Sequence, residues 1–388
     1  MGKGTRQRII RAACVAMALC GLLFMLAMPS DHHLLKRARI VEPREDFVYP
    51  AIAGRAASPL RLRGDWPYCW VTPHTLLTIH FSETSIMALK PRLTDLASGR
   101  RLPISRLTQF ASGFSDDVTI LGNRPPQLET TFVCQSSRDG AWILAPRTSY
   151  PEGPAPFLGA AVRVDDTHQV EWQISRKPES TLWMPDSRRW VALLNGDAGY
   201  QLALFDLRDP AGINRYEFDI QARADWNGVG HTGIPIAPTL AGTLPDGRIL
   251  AINWSAPEKG QVLTARFLPN DEVEHPRKQR IPVPAGTAAV PLLPPVLSPS
   301  GDRVAWFVSV PRTPLGWPVT AKFWALSKTT PSVQIGLWTT GADGSDPQEV
   351  GVYTRQDPDD RPSLLQWTPD GRSLSFRYHG ALYVVPAQ

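Results

Sequence analysis

Residues 364–386 read LLQWTPDGRSLSFRYHGALYVVP and form the clearest pattern in the chain. The pattern predicts that a first strand ends at Trp367 and that residues 368–371, Thr-Pro-Asp-Gly, supply a tight turn, because Pro presets φ and Gly takes the positive φ that a Cβ disfavours. Beyond the turn, apolar and polar residues alternate, which is typical of a strand with one buried face. A second turn at His379-Gly380 leads into an apolar run at 382–385. The stretch therefore predicts an antiparallel meander of three strands.

Related turns recur along the chain, and each is followed by an apolar run. A repeat of this kind predicts one small sheet per unit, because a single meander cannot bury its apolar face alone. The six turns lie at residues 71–74, 136–140, 184–187, 244–247, 298–301 and 368–371.

These units resemble the repeat of TolB-type β-propellers, in which a Trp-x-Pro-Asp-Gly-Lys/Arg segment begins the central hairpin of each blade. Residues 367–376 carry the motif in full, residues 245–251 carry it without the Trp, and residues 299–306 carry a close variant. The resemblance implies an all-β fold, a six-bladed β-propeller of antiparallel four-stranded blades. A β-sandwich, or two stacked β domains, is the alternative.

The composition is that of a globular β protein. The chain has 388 residues, of which 43% are hydrophobic and 20% charged, so disorder is not expected. Its 38 Pro and 29 Gly favour many short strands joined by turns. A formal charge of +5, carried largely by the N-terminus, gives no reason to expect nucleic acid as a partner.

The N-terminus carries a membrane signal. Four basic residues lie within residues 1–11, and an uncharged, largely apolar run follows. We interpret residues 1–11 as a cytoplasmic basic region, 12–29 as an uncleaved transmembrane signal anchor, 30–59 as a tether and 60–388 as the propeller. The alternative is a cleaved signal peptide. The orientation of the basic flank places the propeller outside the cytoplasm, periplasmic or extracellular.

The C-terminus leaves the last blade one strand short. A propeller closes its ring by borrowing a strand from the other terminus, which removes an exposed edge. We expect a segment between Phe47 and Leu62 to supply that strand. Four Trp near the repeated turns are predicted to form wedges between blades: Trp190, Trp254, Trp306 and Trp367.

Two cysteines lie beyond the membrane segment. Cys69 and Cys134 belong to adjacent units, and in an oxidising compartment they would form one disulfide bond between neighbouring blades. Two separately buried thiols are the alternative.

No catalytic motif or metal-ligand spacing is found in the sequence. Residues 228–233 match Gly-x-Gly-x-x-Gly, but the prolines that follow do not suit the helix that a dinucleotide site needs, so neither a metal nor a cofactor is predicted. A polar, glycine-rich stretch at 225–233 and an aromatic, proline-rich stretch at 312–328 are candidate ligand-contacting loops. The candidate binding residues are Asp225, Trp226, Asn227, His231 and Trp317. A plain connection between blades is the alternative for the first stretch, and a cover over a blade edge for the second.

The sequence therefore predicts a membrane-anchored, extracytoplasmic propeller. Its predicted function is that of a non-enzymatic scaffold that binds a protein or an envelope component. The alternative is a propeller enzyme, a metal-dependent hydrolase or lactonase, that uses the axial pocket.

Overall fold

A computed structural model describes most of the repeated region and a short N-terminal segment. The described residues are 34–41, 64–82, 85–107, 135–147, 157–174, 178–195, 200–218, 239–253, 261–266, 273–274, 277–280, 282–284, 290–312, 332–354, 362–378 and 381–387. They form six antiparallel sheets, which we number as blades 1 to 6 in chain order of their first strands.

Blades 1 to 3 are each built from four consecutive strands, so each blade is a simple meander. Blade 1 consists of β2 (Gly64–Thr72), β3 (Thr75–Ser82), β4 (Ser85–Asp95) and β5 (Arg101–Pro103); blade 2 of β6 (Gln135–Ser136), β7 (Trp142–Arg147), β8 (Phe157–Arg163) and β9 (Gln169–Ile174); and blade 3 of β10 (Pro178–Trp183), β11 (Arg189–Asn195), β12 (Tyr200–Asp206) and β13 (Asp209–Phe218).

Blades 4 and 5 continue the meander, but the first strand of blade 5 is interrupted, so that two short segments pair with its second strand. Blade 6 takes one strand from the N-terminus. Blade 4 consists of β14 (Thr239–Thr243), β15 (Ile249–Asn253), β16 (Gln261–Ala265) and β17 (Arg277–Arg280); blade 5 of β18 (Val290–Pro291), β19 (Val296–Leu297), β20 (Arg303–Arg312), β21 (Ser332–Gly341) and β22 (Gln348–Thr354); and blade 6 of β23 (Ser363–Trp367), β24 (Ser373–Tyr378), β25 (Ala381–Pro386) and β1 (Arg39–Val41).

All six repeated turns connect the first and second strands of a blade, as the sequence predicts. In the turn of blade 6, Gly371 has φ +70°, and the N–H of Gly371 donates to the carbonyl of Thr368 at 2.8 Å. Gly247 in blade 4 has φ +83°. Glycine is favoured at both positions because an L side chain is strained in this left-handed region.

The blades pack face to face around a ring. Trp190 of β11 is buried against Leu144 and Trp172 of blade 2, whereas Trp306 of β20 is buried against Ile252 of blade 4. Trp367 packs in the cluster between blades 5 and 6. The prediction of tryptophan wedges is thus confirmed for these three, while Trp254 lies outside the described residues.

The ring is closed between blades 6 and 1. Trp70 of β2 packs with Leu382 of β25, and its indole N–H donates to the hydroxyl of Ser375 on β24 at 2.7 Å. Neighbouring first strands also contact one another from blade 1 through blade 6. This arrangement is that of a β-propeller, and it contradicts the β-sandwich alternative.

The closing strand comes from the N-terminal side, as expected, but the predicted segment is wrong. Strand β1 occupies the free edge of β25, with Arg39 opposite Val384 and Val41 opposite Leu382. β24 occupies the other edge of β25, so no edge is left for residues 47–62, which lie outside the described residues. No local pattern predicts this strand, because β1 is only three residues long and lies among charged residues.

A short helix immediately before β1 also belongs to the propeller. Helix α1 (Leu34–Arg37) contacts β22 and β25, and Leu34 is fully buried between blades 5 and 6. Part of the stretch interpreted as a tether is therefore packed into the folded body. The remainder of the 30–59 interval lies outside the described residues.

Candidate functional site

The two ends of the ring carry different connections. We call one end of the ring the turn end. It is formed by the connections from first to second strands and from third to fourth strands. The opposite end, where second strands lead to third strands and blade leads to blade, is called the loop end. The turn end is closely packed, since a Cβ built on Gly301 of blade 5 would lie 2.5 Å from the carbonyl oxygen of Thr243 in blade 4.

Aspartates hold the turns at the turn end. In blade 6, Asp370 accepts hydrogen bonds from the Thr368 hydroxyl at 2.6 Å and from the Arg372 N–H at 3.1 Å. In blade 3, Asp186 accepts from the N–H groups of Arg188 and Arg189 at 3.0 and 2.9 Å. This explains the aspartate of the repeated motif, because its carboxylate satisfies turn N–H groups that no strand partner reaches.

Arginines link the two kinds of turn within a blade. In blade 3, Arg188 donates from Nε to Asp206 at 2.7 Å, and in blade 5 Arg303 lies 3.1 Å from Asp346. Each arginine lies at or just before the start of a second strand, and each acid at or near the connection from third to fourth strand. The turn end is therefore a polar surface whose charges largely bond to one another.

Three aspartates of the turn end have clearly lowered pKa values. Hydrogen bonds from Thr167 lower the pKa of Asp165 to about 2, and the hydroxyls of Ser300 and Ser298 lower that of Asp302. A hydrogen bond from Arg188 is the largest cause of the lowered pKa of Asp206. A general acid needs a raised pKa to carry a proton at neutral pH. These carboxylates instead serve as hydrogen-bond acceptors.

Neither a metal-binding cluster nor a membrane-spanning helix is found among the described residues. Nowhere in the described parts of the blades do three or more His, Cys, Asp or Glu side chains lie close enough together to hold a metal ion. Among the same residues, no helix is long and apolar enough to span a bilayer. The predicted anchor at 12–29 is outside the described residues.

The predicted binding residues lie outside the described residues as well. Asp225, Trp226, Asn227 and His231 fall in the interval between β13 of blade 3 and β14 of blade 4, and Trp317 falls between β20 and β21 of blade 5. The strands that flank both intervals end at the loop end. The strand ends that flank the two candidate stretches thus lie at the same end of the ring, and the role of these residues in binding stays a prediction.

Cys69 is disulfide-bonded and its side chain is buried, so it is not a separate buried thiol. Cys134 lies outside the described residues, immediately before β6. Ser136 of β6 donates from its hydroxyl to the carbonyl of Trp70, the residue after Cys69, at 2.9 Å. This contact favours the predicted pairing of Cys69 with Cys134, which stays a prediction.

Sequence reasoning missed a polar surface at the outer edge of blades 5 and 6. We call it the blade 5–6 rim and define it by Arg37, Arg39 and Glu349, which are exposed on α1 and on the outermost strands β1 and β22. Tyr378 and Tyr383 lie farther in, half-buried on the blade 5 face of blade 6, where they form an edge-to-face pair at 6.0 Å, and burial raises the pKa of Tyr383. No local pattern signals the rim, because its members come from opposite ends of the chain.

Comparisons with solved structures return β-propellers at low identity. The hydrazine synthase of Kuenenia stuttgartiensis is 14% identical over 83% of this chain and 77% of that one, with a TM-score of 0.43. A TolB-like protein of Agrobacterium tumefaciens is 15% identical over 81% and 89%, with a TM-score of 0.42. The β-propeller domain of the trilobed protease of Pyrococcus furiosus is 11% identical over 84% and 83%, with a TM-score of 0.42.

No family model matches the chain, and no curated protein matches it. The chain thus resembles TolB-like and other β-propellers in structure, and the resemblance concerns the fold alone.

Proposed function

We propose that this protein is a membrane-anchored, extracytoplasmic six-bladed propeller that binds a protein or an envelope component at its loop end, as a scaffold rather than an enzyme. Residues 12–29 are its single transmembrane anchor, and the membrane is its second partner.

One observation carries the proposal: the longest connections between strands all lie at the loop end. At the turn end, β12 and β13 are joined through Leu207 and Arg208 alone, and the turns are held by their own aspartates. At the loop end, long intervals separate consecutive described segments, namely 108–134, 219–238 and 313–331. Long connections carried on a rigid scaffold are the usual place for recognition.

The composition of these intervals supports recognition of a macromolecular partner. Trp226 lies in the second and Trp317 in the third, and the third also contains Trp324. Tryptophan is enriched in the residues that dominate the energy of protein interfaces.

Site-specific photo-crosslinking in intact membranes tests the binding end. A photoreactive amino acid is placed at position 226 or 317, and at position 246 or 372 on the turn end as matched controls. Asp246 and Arg372 are both exposed. We expect the same adduct from both loop-end positions and none from the turn end. Adducts from the turn end alone would contradict the proposal.

Alkaline carbonate extraction tests the anchor separately. The full-length chain should stay in the membrane pellet, and a variant whose residues 12–29 are replaced by a cleavable signal peptide should be released. Release of the full-length chain would contradict the proposed membrane anchor. It would not affect the proposal that a partner binds at the loop end, which the crosslinking tests.

A further inference from the structure

The position of Leu34 fixes where the chain enters the propeller. Leu34 is fully buried in the cluster between blades 5 and 6, together with Phe307 of β20 and with Phe376 and Val385 of blade 6. Removing a leucine side chain from such a site leaves a cavity and destabilises the fold. The entry point is therefore held by the core and does not swing freely.

Three residues after Leu34, Arg37 adds a polar bond to this attachment. Its guanidinium donates to the carbonyl of Val350 on β22. Strand β1 then pairs with β25 along Arg39–Val41. The segment 34–41 is thus bonded to the outer strands of two neighbouring blades.

The proposed anchor ends only a short distance before this point. Residues 30–33 are all that separates residue 29 from Leu34. A fully extended chain spans at most about 3.3–3.6 Å per residue, so this link reaches roughly 17 Å. The polar headgroup layer on one side of a bilayer takes up about 5–8 Å of that length. The crevice between blades 5 and 6 must then lie within roughly 10 Å of the headgroups.

The blade 5–6 rim carries more positive than negative charge. Arg37 and Arg39 are exposed there, Glu349 is the one acid among the three residues that define it, and Lys36 adds a third basic residue in the sequence. Basic residues close to a membrane surface are attracted to anionic headgroups, so this excess of positive charge suits a rim held beside a bilayer that contains anionic lipid.

We propose that the blade 5–6 rim lies against the lipid headgroups, so that the ring stands on its edge with blades 2 and 3 farthest from the membrane. The proposal rests on the anchor of the proposed function. In this orientation the ring axis runs roughly parallel to the membrane, and the loop end is open sideways to a partner instead of facing the bilayer.

Two exposed glutamates provide a matched test. Glu349 lies near the start of β22, the outermost strand of blade 5, and Glu171 lies near the start of β9, the outermost strand of blade 2. Blades 2 and 5 are on opposite sides of the ring. The variants Glu349→Cys and Glu171→Cys are made in the full-length chain with Cys14→Ser and Cys20→Ser, and each is labelled with a fluorophore.

The proteins are reconstituted into vesicles of phosphatidylcholine and phosphatidylglycerol that contain nitroxide-headgroup lipid. We expect fluorescence quenching at position 349 to be severalfold stronger than at position 171. Equal quenching at the two positions, or stronger quenching at 171, in protein that resists carbonate extraction would overturn the orientation alone. Release of the protein by carbonate would overturn the anchor, and the orientation with it.

Discussion

The boundary between blades 2 and 3 and the boundary between blades 5 and 6 are sealed in different ways. Blades 2 and 3 meet through aromatic side chains of consecutive units: Trp172 of blade 2 meets Trp190 and Phe205 of blade 3 edge-to-face, at 5.3 and 6.0 Å. Blades 5 and 6 also pack aromatic rings, with Phe307 edge-to-face on Phe376 at 5.1 Å. The second boundary, however, includes Leu34 from the far end of the chain.

The difference separates what a repeat encodes from what it does not. A boundary between consecutive blades follows from the repeat, because each unit brings its own turn and its own apolar strand. The 5–6 boundary is completed by residues 34–41, which carry no copy of the repeat. Its contacts have high sequence separation, so their loop-closure entropy must be overcome before they form.

The largest expected effect is at the boundary of consecutive blades. Trp190→Ala removes a side chain that is 1% exposed, together with both of its aromatic contacts. We expect it to lower the free energy of unfolding by about 3–5 kcal/mol, measured by urea denaturation. Leu102→Ala is the control, because Leu102 is 44% exposed, and its effect should stay within about 0.5 kcal/mol. Equal effects of the two variants would contradict the claim that Trp190 stabilises the boundary between blades 2 and 3.

Leu34→Ala sharpens the comparison at the closing boundary. The substitution should cost about 3 kcal/mol, since it leaves a cavity in a fully buried site. Hydrogen exchange should show the loss mainly as faster exchange in β1 and β25, because this boundary can open without the others. Uniformly faster exchange in all blades would mean that the 5–6 boundary is no weaker than the rest. Leu35→Ala, at a half-buried neighbour, is the matched control and should cost less.

Two glycines of the turn end test the contact between blades 4 and 5. Gly301 and Gly247 have φ of +81° and +83°, so Ala is strained at both, by about 1–2 kcal/mol. A Cβ on Gly301 meets the Thr243 carbonyl at 2.5 Å, whereas a Cβ on Gly247 has nothing within 4 Å. We expect Gly301→Ala to lower the melting temperature clearly more than Gly247→Ala does. Equal shifts in melting temperature would show that the turns of blades 4 and 5 are not in close contact.

The smallest effect concerns an exposed carboxylate at the turn end of blade 2. Hydrogen bonds from Thr167 are the main reason why the pKa of Asp165 is lowered to about 2. Because the folded pKa lies below the unfolded value of about 3.9, the stabilisation from this group is present above about pH 4 and is lost as the pH falls toward 2. Thr167→Val should raise the pKa of Asp165 toward its ordinary value, as followed by NMR titration of the carboxyl. An unchanged pKa would contradict the assignment of this cause.

The features that depend on neighbouring residues, namely the turns and the tryptophans beside them, could be predicted from the sequence. Turns that contain Pro, Asp or Gly depend on φ preferences and on hydrogen bonds to N–H groups a few residues away, so all six turns could be predicted from their own residues. Trp190, Trp306 and Trp367 could be predicted as wedges because each lies beside such a turn.

The closing strand and the blade 5–6 rim could not be predicted in the same way. Arg39–Val41 resembles no other fourth strand, and its place is set by the free edge of β25 and by the burial of Leu34, both far away in sequence. For the candidate binding residues near Asp225 and Trp317, the sequence placed both stretches between strands. Only the topology brings the flanking strand ends to one end of the ring.

The most direct test of the central claim, that residues 34–41 close the ring, is a disulfide across the closing pair. Arg39 and Val384 are directly opposite in an antiparallel ladder, where Cα atoms lie about 4.5–5.5 Å apart, a distance that suits a disulfide bond. In the full-length chain, Arg39→Cys with Val384→Cys should form a crosslink under mild oxidation, identified by peptide mass spectrometry. Tyr49→Cys with Val384→Cys is the control, taken from the segment between Phe47 and Leu62 that the sequence pattern indicates, and it should not crosslink. Crosslinking of the control pair, with none for the Arg39 pair, would contradict the closure described above.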